Sequence, residues 1–150
     1  MSFKLYDTLT RQIALFQPIK TGVVTLYICG PTVYAPAHIG NLRTFVVSDW
    51  FRRVLEWNGY QVTAVMNVTD VDDKTIRASQ AAGVPLSSFT NQYEKTFFAD
   101  LESLNVEPAN QIPHATKYVE QMIEMIKILL AKGFAYQAED GIYFGLAKAK

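Results

Sequence analysis

Val23-Val24-Thr25-Leu26-Tyr27-Ile28, then Cys29-Gly30-Pro31-Thr32-Val33-Tyr34, Ala35-Pro36-Ala37 and His38-Ile39-Gly40-Asn41, is the stretch on which the fold turns. Its first six residues are nearly continuous apolar and rich in β-branched side chains. That pattern predicts a strand buried on both faces, as in a parallel sheet, and Gly30-Pro31 ends it. From residue 41 to 57 the pattern is helical: Leu42, Phe45, Val46, Asp49-Trp50, Val54 and Trp57 recur at spacings of three and four. Asn58-Gly59 is the stop signal. Residues 60–68 return to strand, with Val62, Ala64, Met66 and Val68 on one face. Strand, helix and strand joined this way form a βαβ unit, expected parallel and right-handed.

Outward from this unit, Pro18 and Gly22 mark a loop over residues 16–22. Thr69-Asp70 can cap a helix over residues 71–82, closed by Gly83. After Pro85, Ser87 or Ser88 can cap another, in which Phe89, Tyr93, Phe97 and Leu101 form one apolar stripe. Residues 105–113 read as a Pro-containing loop. Thr116 is the expected cap of a helix carrying Val119, Met122, Ile123, Ile126, Leu129 and Leu130, which ends at Lys132-Gly133. Met122, Ile123, Met125, Ile126 and Ile128 read as its core-facing side. Residues 134–146 hold two short strand-like runs around Asp140-Gly141, a hairpin signal.

The 150-residue chain is about one domain long, with fourteen basic and fourteen acidic residues that cancel. A net charge of zero argues against a broad basic surface for nucleic-acid backbones, though it leaves local patches open. One cysteine cannot form an internal disulfide. The first ten residues have no signal-peptide core, and no apolar run approaches the roughly 20 residues that span a bilayer. The expected setting is cytoplasmic.

Three groups can carry chemistry. A helix starting at His38-Ile39-Gly40-Asn41 would aim backbone N–H groups and a positive dipole end at the preceding turn, where phosphate binds well. His38 and Asn41 add side-chain donors and Gly40 allows close approach; equally, His38 can be a polar cap and Gly40 a turn residue. Cys29, at a strand end, can be a zinc ligand, a nucleophile or a small buried hydrophobe, the last being the ordinary role of a lone cysteine. Zinc takes three or four protein ligands, and the only histidines are His38 and His114. Asn67-Val68-Thr69-Asp70-Val71-Asp72-Asp73-Lys74 ends the second strand, so Thr69 and Asp70 would face the same crevice as Cys29. Its acidic residues can bind magnesium or serve a helix start, and Lys74 can pair with Asp70 one turn earlier.

Together these segments resemble the cysteinyl-tRNA synthetases, which are class I aminoacyl-tRNA synthetases. The resemblance begins at Leu5-Tyr6-Asp7-Thr8-Leu9-Thr10-Arg11, which looks like the family's N-terminal strand. It is strong through residues 27–34, 38–41 and 43–46, and continues through residues 67–74 to Ala131-Lys132-Gly133-Phe134-Ala135-Tyr136. It implies an α/β fold, the N-terminal half of a Rossmann-like (HUP-type) nucleotide-binding domain with parallel strands and flanking helices. It further implies ATP-dependent activation of cysteine to cysteinyl-adenylate and transfer to tRNA(Cys). Residues 31–41, from Pro31 through Val33, Tyr34, Ala35, Pro36, Ala37 and Ile39 to Asn41, would be the ATP signature region. Within it Thr32, His38, Gly40 and Asn41 would bind ATP, with His38 and Asn41 catalytic. Cys29, Gly30, Thr32 and Thr69 would hold the substrate cysteine, and Cys29 would be one ligand of a zinc ion that grips its thiolate. Magnesium would accompany ATP.

Asn41 stands where the signature's name has histidine, and Ala35 where an acidic or amide residue is more usual. Family members are much longer, and their remaining zinc ligands, Lys-Met-Ser-Lys-Ser loop and tRNA-reading domains are not found among residues 1–150. The expected boundary lies near the start of the family's connective insertion, which makes residues 1–150 the N-terminal half of the catalytic domain. Two other readings stay open: a cysteine:amino-sugar ligase of mycothiol synthesis, and a non-catalytic binding module. Half of a doubly wound sheet would leave a strand edge and an apolar face uncovered, so self-association of the isolated chain is expected.

Overall fold

The structure, a computed structural model, describes residues 3–148. The chain divides into two compact units, residues 1–114 and 115–150. The first opens with an antiparallel hairpin of β1 (Lys4–Asp7) and β2 (Gln12–Leu15). Asp7 holds the hairpin turn, accepting from the Leu9 N–H and the Thr10 hydroxyl, and those bonds lower its carboxyl pKa. β2 has no counterpart in the sequence reading. Its four residues are all exposed, so they carry no in-and-out alternation to betray a strand.

The centre is the expected βαβ unit. β3 (Val23–Ile28) and β4 (Gln61–Met66) pair in parallel, Val23 with Gln61 through Ile28 with Met66. Helix α1 (Ile39–Trp57) crosses between them. A segment after Asn105 runs along the other edge of β4: Met66 N–H donates to the Gln111 carbonyl and Val68 N–H to that of Pro113. The expected loop is therefore partly a third, irregular ladder. β4 is flanked on both sides, and its alternate residues Val62, Ala64 and Met66 are buried. β3 is not buried on both faces as its composition predicts. None of its residues is fully buried, and Tyr27 is 65% exposed. Among the described residues no strand pairs with its second edge.

Helix α2 (Asp73–Ala82) begins two residues later than expected, because Asp72 rather than Thr69-Asp70 is its cap; the Thr75 N–H donates to the Asp72 carboxylate. Gly83 closes it at φ 67°, in the left-handed region that glycine adopts without strain. Helix α3 (Leu86–Ser103) follows directly on Pro85, with no side-chain cap from Ser87 or Ser88. Proline's fixed φ and missing N–H suit a helix start, so the two serines fall inside the first turn. The core gathers Phe45 of α1, Met66 of β4, and Phe97 and Leu101 of α3, with Ile28 packed against them. Ile28 and Met66 are the last residues of their strands, so this core lies directly beneath the carboxyl end of the sheet.

The buried face of α1 differs from the expected stripe. Phe45, Arg52 and Leu55 are buried, whereas Val46, Trp50, Val54 and Trp57 are exposed. Buried Arg52 has polar partners on either side: its Nη1 donates to the Pro108 carbonyl, and its Nε lies 2.9 Å from Glu56 and 3.5 Å from Glu107.

The second unit holds a 3-10 turn at Ala115–Lys117, helix α4 (Val119–Ala131) and a hairpin of β5 (Ala135–Gln137) and β6 (Ile142–Phe144). Thr116 lies within the 3-10 turn, and the residue before α4 is Tyr118, which gives no side-chain cap. None of α4's residues is buried, so the sequence's core-facing side of Met122 to Ile128 is solvent-accessible. A 3-10 turn at Leu146–Lys148 ends the described chain.

Candidate active site

Beyond the ends of β3 and β4 the two chains keep running side by side. Thr69 N–H donates to the Pro31 carbonyl at 2.9 Å, and Val33 N–H to the Thr69 carbonyl at 3.3 Å. Thr32 and Thr69 are thus bridged neighbours. The approach is closest at Gly30, where a Cβ would fall 1.5 Å from the Asn67 carbonyl oxygen. No other residue fits there without parting the strand ends. The Asn67 side chain closes the seam, accepting from the Gly30 N–H at 3.0 Å.

The chain then enters α1 through His38. The ring's Nδ1 accepts from the Gly40 N–H at 3.0 Å, and the His38 N–H donates to Asn41 Oδ1 at 3.2 Å. This reciprocal cap explains the spacing of the motif. A Cβ on residue 40 would lie 2.9 Å from the His38 ring, so Gly40 is what lets the imidazole fold over the helix start. With Nδ1 occupied as an acceptor, the neutral ring carries its proton on Nε2, which remains a donor. The cap reading and the donor reading of His38 are therefore compatible.

The expected cradle of backbone N–H groups is narrower than the sequence suggests. Gly40 N–H is spent on the His38 ring, and those of Asn41 and Leu42 on the His38 carbonyl. An anion placed here would meet side chains and the helix dipole rather than these N–H groups.

Cys29, Thr32, His38 and Asn41 come together around one cleft of about 500 Å³, with Lys74 and Tyr93 arriving from α2 and α3. Pro31, Val33, Tyr34, Ala35, Pro36 and Ala37 line the same cleft, which places nearly all of the 31–41 stretch on it. Ile39, Gly40 and Thr69 do not line it; Thr69 stands beside it as the bridged neighbour of Thr32. Cys29 is an exposed thiol, which overturns its reading as a small buried hydrophobe. It is free to meet a ligand because it lies one residue past β3, above the core rather than in it.

Lys74 brings a positive charge to the cleft and stands 5.4 Å from the centre of the Tyr34 ring. Its place in the sequence suggests only a partner for Asp70. The signal that could have found it is its register: with Asp72 as cap, residue 74 falls in the first turn of α2, close to the strand end. Tyr93 and Phe97 read as one apolar stripe, yet both also face the cleft. Among the acidic residues, Asp72 is spent as the α2 cap.

Among the described residues no group of three or more His, Cys, Asp or Glu side chains gathers to hold a metal ion. A single thiol falls short of the three or four donors that zinc takes from protein, so these residues do not by themselves fit a zinc site. A larger hollow of about 610 Å³ lies between α1 and the segment after Asn105. Its cations are engaged, Arg52 as above and Arg53 with Asp49 and the Asn105 carbonyl. The convergent polar groups are at the smaller cleft. None of the described helices is long and apolar enough to cross a membrane.

The family model described as the class I (C) tRNA synthetase catalytic domain matches residues 15–150. Among curated proteins, a cysteine–tRNA ligase of Protochlamydia amoebophila is 49% identical over 144 residues, 95% of this chain and 30% of that protein. One of Methanosarcina acetivorans is 47% identical over 96% of this chain and 30% of that protein, and one of Pyrococcus horikoshii is 43% identical over the whole chain and 32% of that protein. The chain thus spans about a third of the length of the curated relatives it matches. Among solved structures, a Mycobacterium tuberculosis methionyl-tRNA synthetase in complex with methionyl-adenylate superposes with a TM-score of 0.69 at 20% identity, over 77% of this chain and 23% of that one. A LeuRS–tRNA–LeuAMS ternary complex of Agrobacterium radiobacter gives 0.67 at 20% identity, over 80% and 16%. These two likenesses establish the shared α/β fold.

Proposed function

The chain belongs to the class I (C) tRNA synthetase catalytic-domain family, and from that premise we propose that it is the N-terminal half of the catalytic domain of a cysteine–tRNA ligase. The whole enzyme would join cysteine to tRNA(Cys) in two steps. A cysteine carboxylate oxygen attacks the α-phosphorus of ATP, the bond to pyrophosphate breaks, and cysteinyl-adenylate forms. A terminal ribose hydroxyl of the tRNA then takes the cysteinyl group, loses its proton, and AMP leaves. The observation that carries this reading is the convergence of Cys29, Thr32, His38 and Asn41 on one cleft at the carboxyl end of the sheet, where ligands of open α/β sheets bind.

In this reading His38 Nε2–H and Asn41 meet the α-phosphate, and their hydrogen bonds strengthen as charge builds on it. The α1 dipole and Lys74 add positive potential. Gly30, Thr32 and Thr69 hold the cysteine so that its carboxylate faces the phosphorus. Catalysis is positioning and electrostatics, with no covalent enzyme intermediate. Cys29 would supply one soft donor for zinc and the other donors would come from outside residues 1–150; magnesium would accompany ATP. The site is proposed to work in the cytoplasm. The curated relatives above carry the name cysteine–tRNA ligase, which favours this reading over an amino-sugar ligase or a binding module.

The test is cysteine-dependent ATP–pyrophosphate exchange, with zinc present. It is measured on the chain alone and on the chain joined to the remaining catalytic portion of a 43–49% identical relative. The expected result is no exchange alone, exchange when joined, and loss of that exchange on Cys29→Ala. Exchange supported equally by serine, or unaffected by Cys29→Ala, would overturn the assignment.

A further inference from the structure

We propose that Asn67 is a positioning residue that fixes the hydrogen-bonding direction of the Thr69 hydroxyl toward the substrate amino acid; this rests on the cysteine-site reading above. Asn67 is the first residue past β4 and uses both ends of its amide. Oδ1 accepts from the Gly30 N–H at 3.0 Å and from the Tyr27 hydroxyl at 3.1 Å, and Nδ2 donates to Thr69 Oγ1 at 3.1 Å. Gly30 N–H can only donate, so the amide has one permitted orientation: oxygen toward Gly30, nitrogen toward Thr69.

The consequence lies on Thr69. A hydroxyl has one proton and two lone pairs. With one lone pair taken by the Asn67 amide, its proton is turned away from Asn67 and stays available to another acceptor. The second lone pair is left for a donor such as an ammonium group. The ladder pairs Ile28 with Met66 at its end and resumes as Thr32 beside Thr69, with Asn67 standing between. The same amide therefore couples the Cys29–Gly30 turn to Thr69 across the strand seam. An aspartate is nearly the same shape and would keep both Oδ1 contacts. It could not donate, so Thr69 would rotate to donate to the carboxylate, and the proton meant for substrate would be consumed.

The experiment uses the exchange-competent protein described above, with KM for cysteine and for ATP measured separately. Asn67→Asp is expected to raise KM for cysteine about tenfold or more, leave KM for ATP within about twofold, and leave the urea midpoint near wild type. Tyr27→Phe, which removes one of two donors to Oδ1, should change neither constant. Thr69→Val separates the two layers of inference. If it leaves KM for cysteine unchanged, the cysteine-site reading is wrong and this proposal falls with it. If Thr69→Val raises that KM and Asn67→Asp does not, the site stands and the role of Asn67 is overturned. If the two effects multiply in the double variant, Asn67 does not act through Thr69 and the proposal fails; an effect no larger than that of Thr69→Val alone supports it. Should Asn67→Asp fail to fold, Asn67→Ser, too short to bridge Gly30 and Thr69, carries the same expectation and the same overturning result.

Discussion

At the scale of single residues, the proposed function gives His38 two jobs through two different nitrogens. Nδ1 closes the start of α1, and Nε2–H is the atom the proposed chemistry needs. The jobs can be separated. Asparagine is among the best N-caps, so His38→Asn keeps an acceptor for the helix N–H groups and loses the imidazole donor. Its expected unfolding free energy is within about 0.5 kcal/mol of wild type, while His38→Ala loses about 1 kcal/mol. Both should lower exchange in the joined protein by about a hundredfold or more, the size of one lost transition-state donor. Urea denaturation of the two variants beside exchange rates checks this. Equal exchange by His38→Asn and wild type would reduce His38 to a cap. Gly30 and Gly40 belong to the same scale, one admitting the neighbouring carbonyl and the other the histidine ring. These glycines make the motif legible in sequence, although the contact that requires each is not.

Among the elements, α2 shows where sequence reading succeeds and where it slips. Its end was legible at Gly83, because a left-handed terminus leaves a residue-type signature. Its start is not legible to within two residues, because Thr69, Asp70 and Asp72 all have capping side chains and composition does not choose among them. Tertiary structure chooses: Thr69 is held in the seam with Pro31 and Thr32, which leaves Asp72 to cap. Asp72→Ala should therefore cost about 1 kcal/mol of stability, read as a shift of the urea midpoint. An equal cost from Asp70→Ala through loss of helix content would contradict the assignment. The apolar periodicity of α1 misled for a related reason. It has two apolar stripes, and which one is buried depends on α3, whose Phe97 meets Phe45 edge-on at 4.8 Å. Arg52 joins the buried face because the segment near Pro108 supplies a carbonyl, a partner more than fifty residues away. Lys74 and Tyr93 are likewise silent in the sequence, since each reaches the cleft from a helix with no signature of its own.

At the largest scale, among the described residues the β3–β4 sheet is finished on one edge and unpaired along most of the other. The β4 edge is satisfied by the segment around Gln111, whereas among the described residues no strand pairs with the outer edge of β3 beyond the Lys20–Val23 bridge, and Tyr27 is exposed. The second apolar stripe of α1 adds Val46, Trp50, Val54 and Trp57, with Trp50 73% and Trp57 84% exposed. Unpaired strand edges template pairing with another chain, and grouped exposed apolar side chains favour association in water. The net charge of zero supplies no long-range repulsion against it. The 150-residue chain is therefore expected to self-associate at tens of micromolar by sedimentation velocity. The paired substitution Trp50→Lys and Trp57→Lys places two positive charges on the stripe without touching the buried Phe45, Arg52 and Leu55. It should shift the distribution toward monomer while leaving the far-ultraviolet circular dichroism unchanged. If the wild-type chain sediments as a monomer at that concentration, the open edge and stripe are tolerated by solvent and the argument from exposure fails. If it associates and the charged variant associates equally, the stripe is not the contact, and the edge of β3 is left as the surface that pairs.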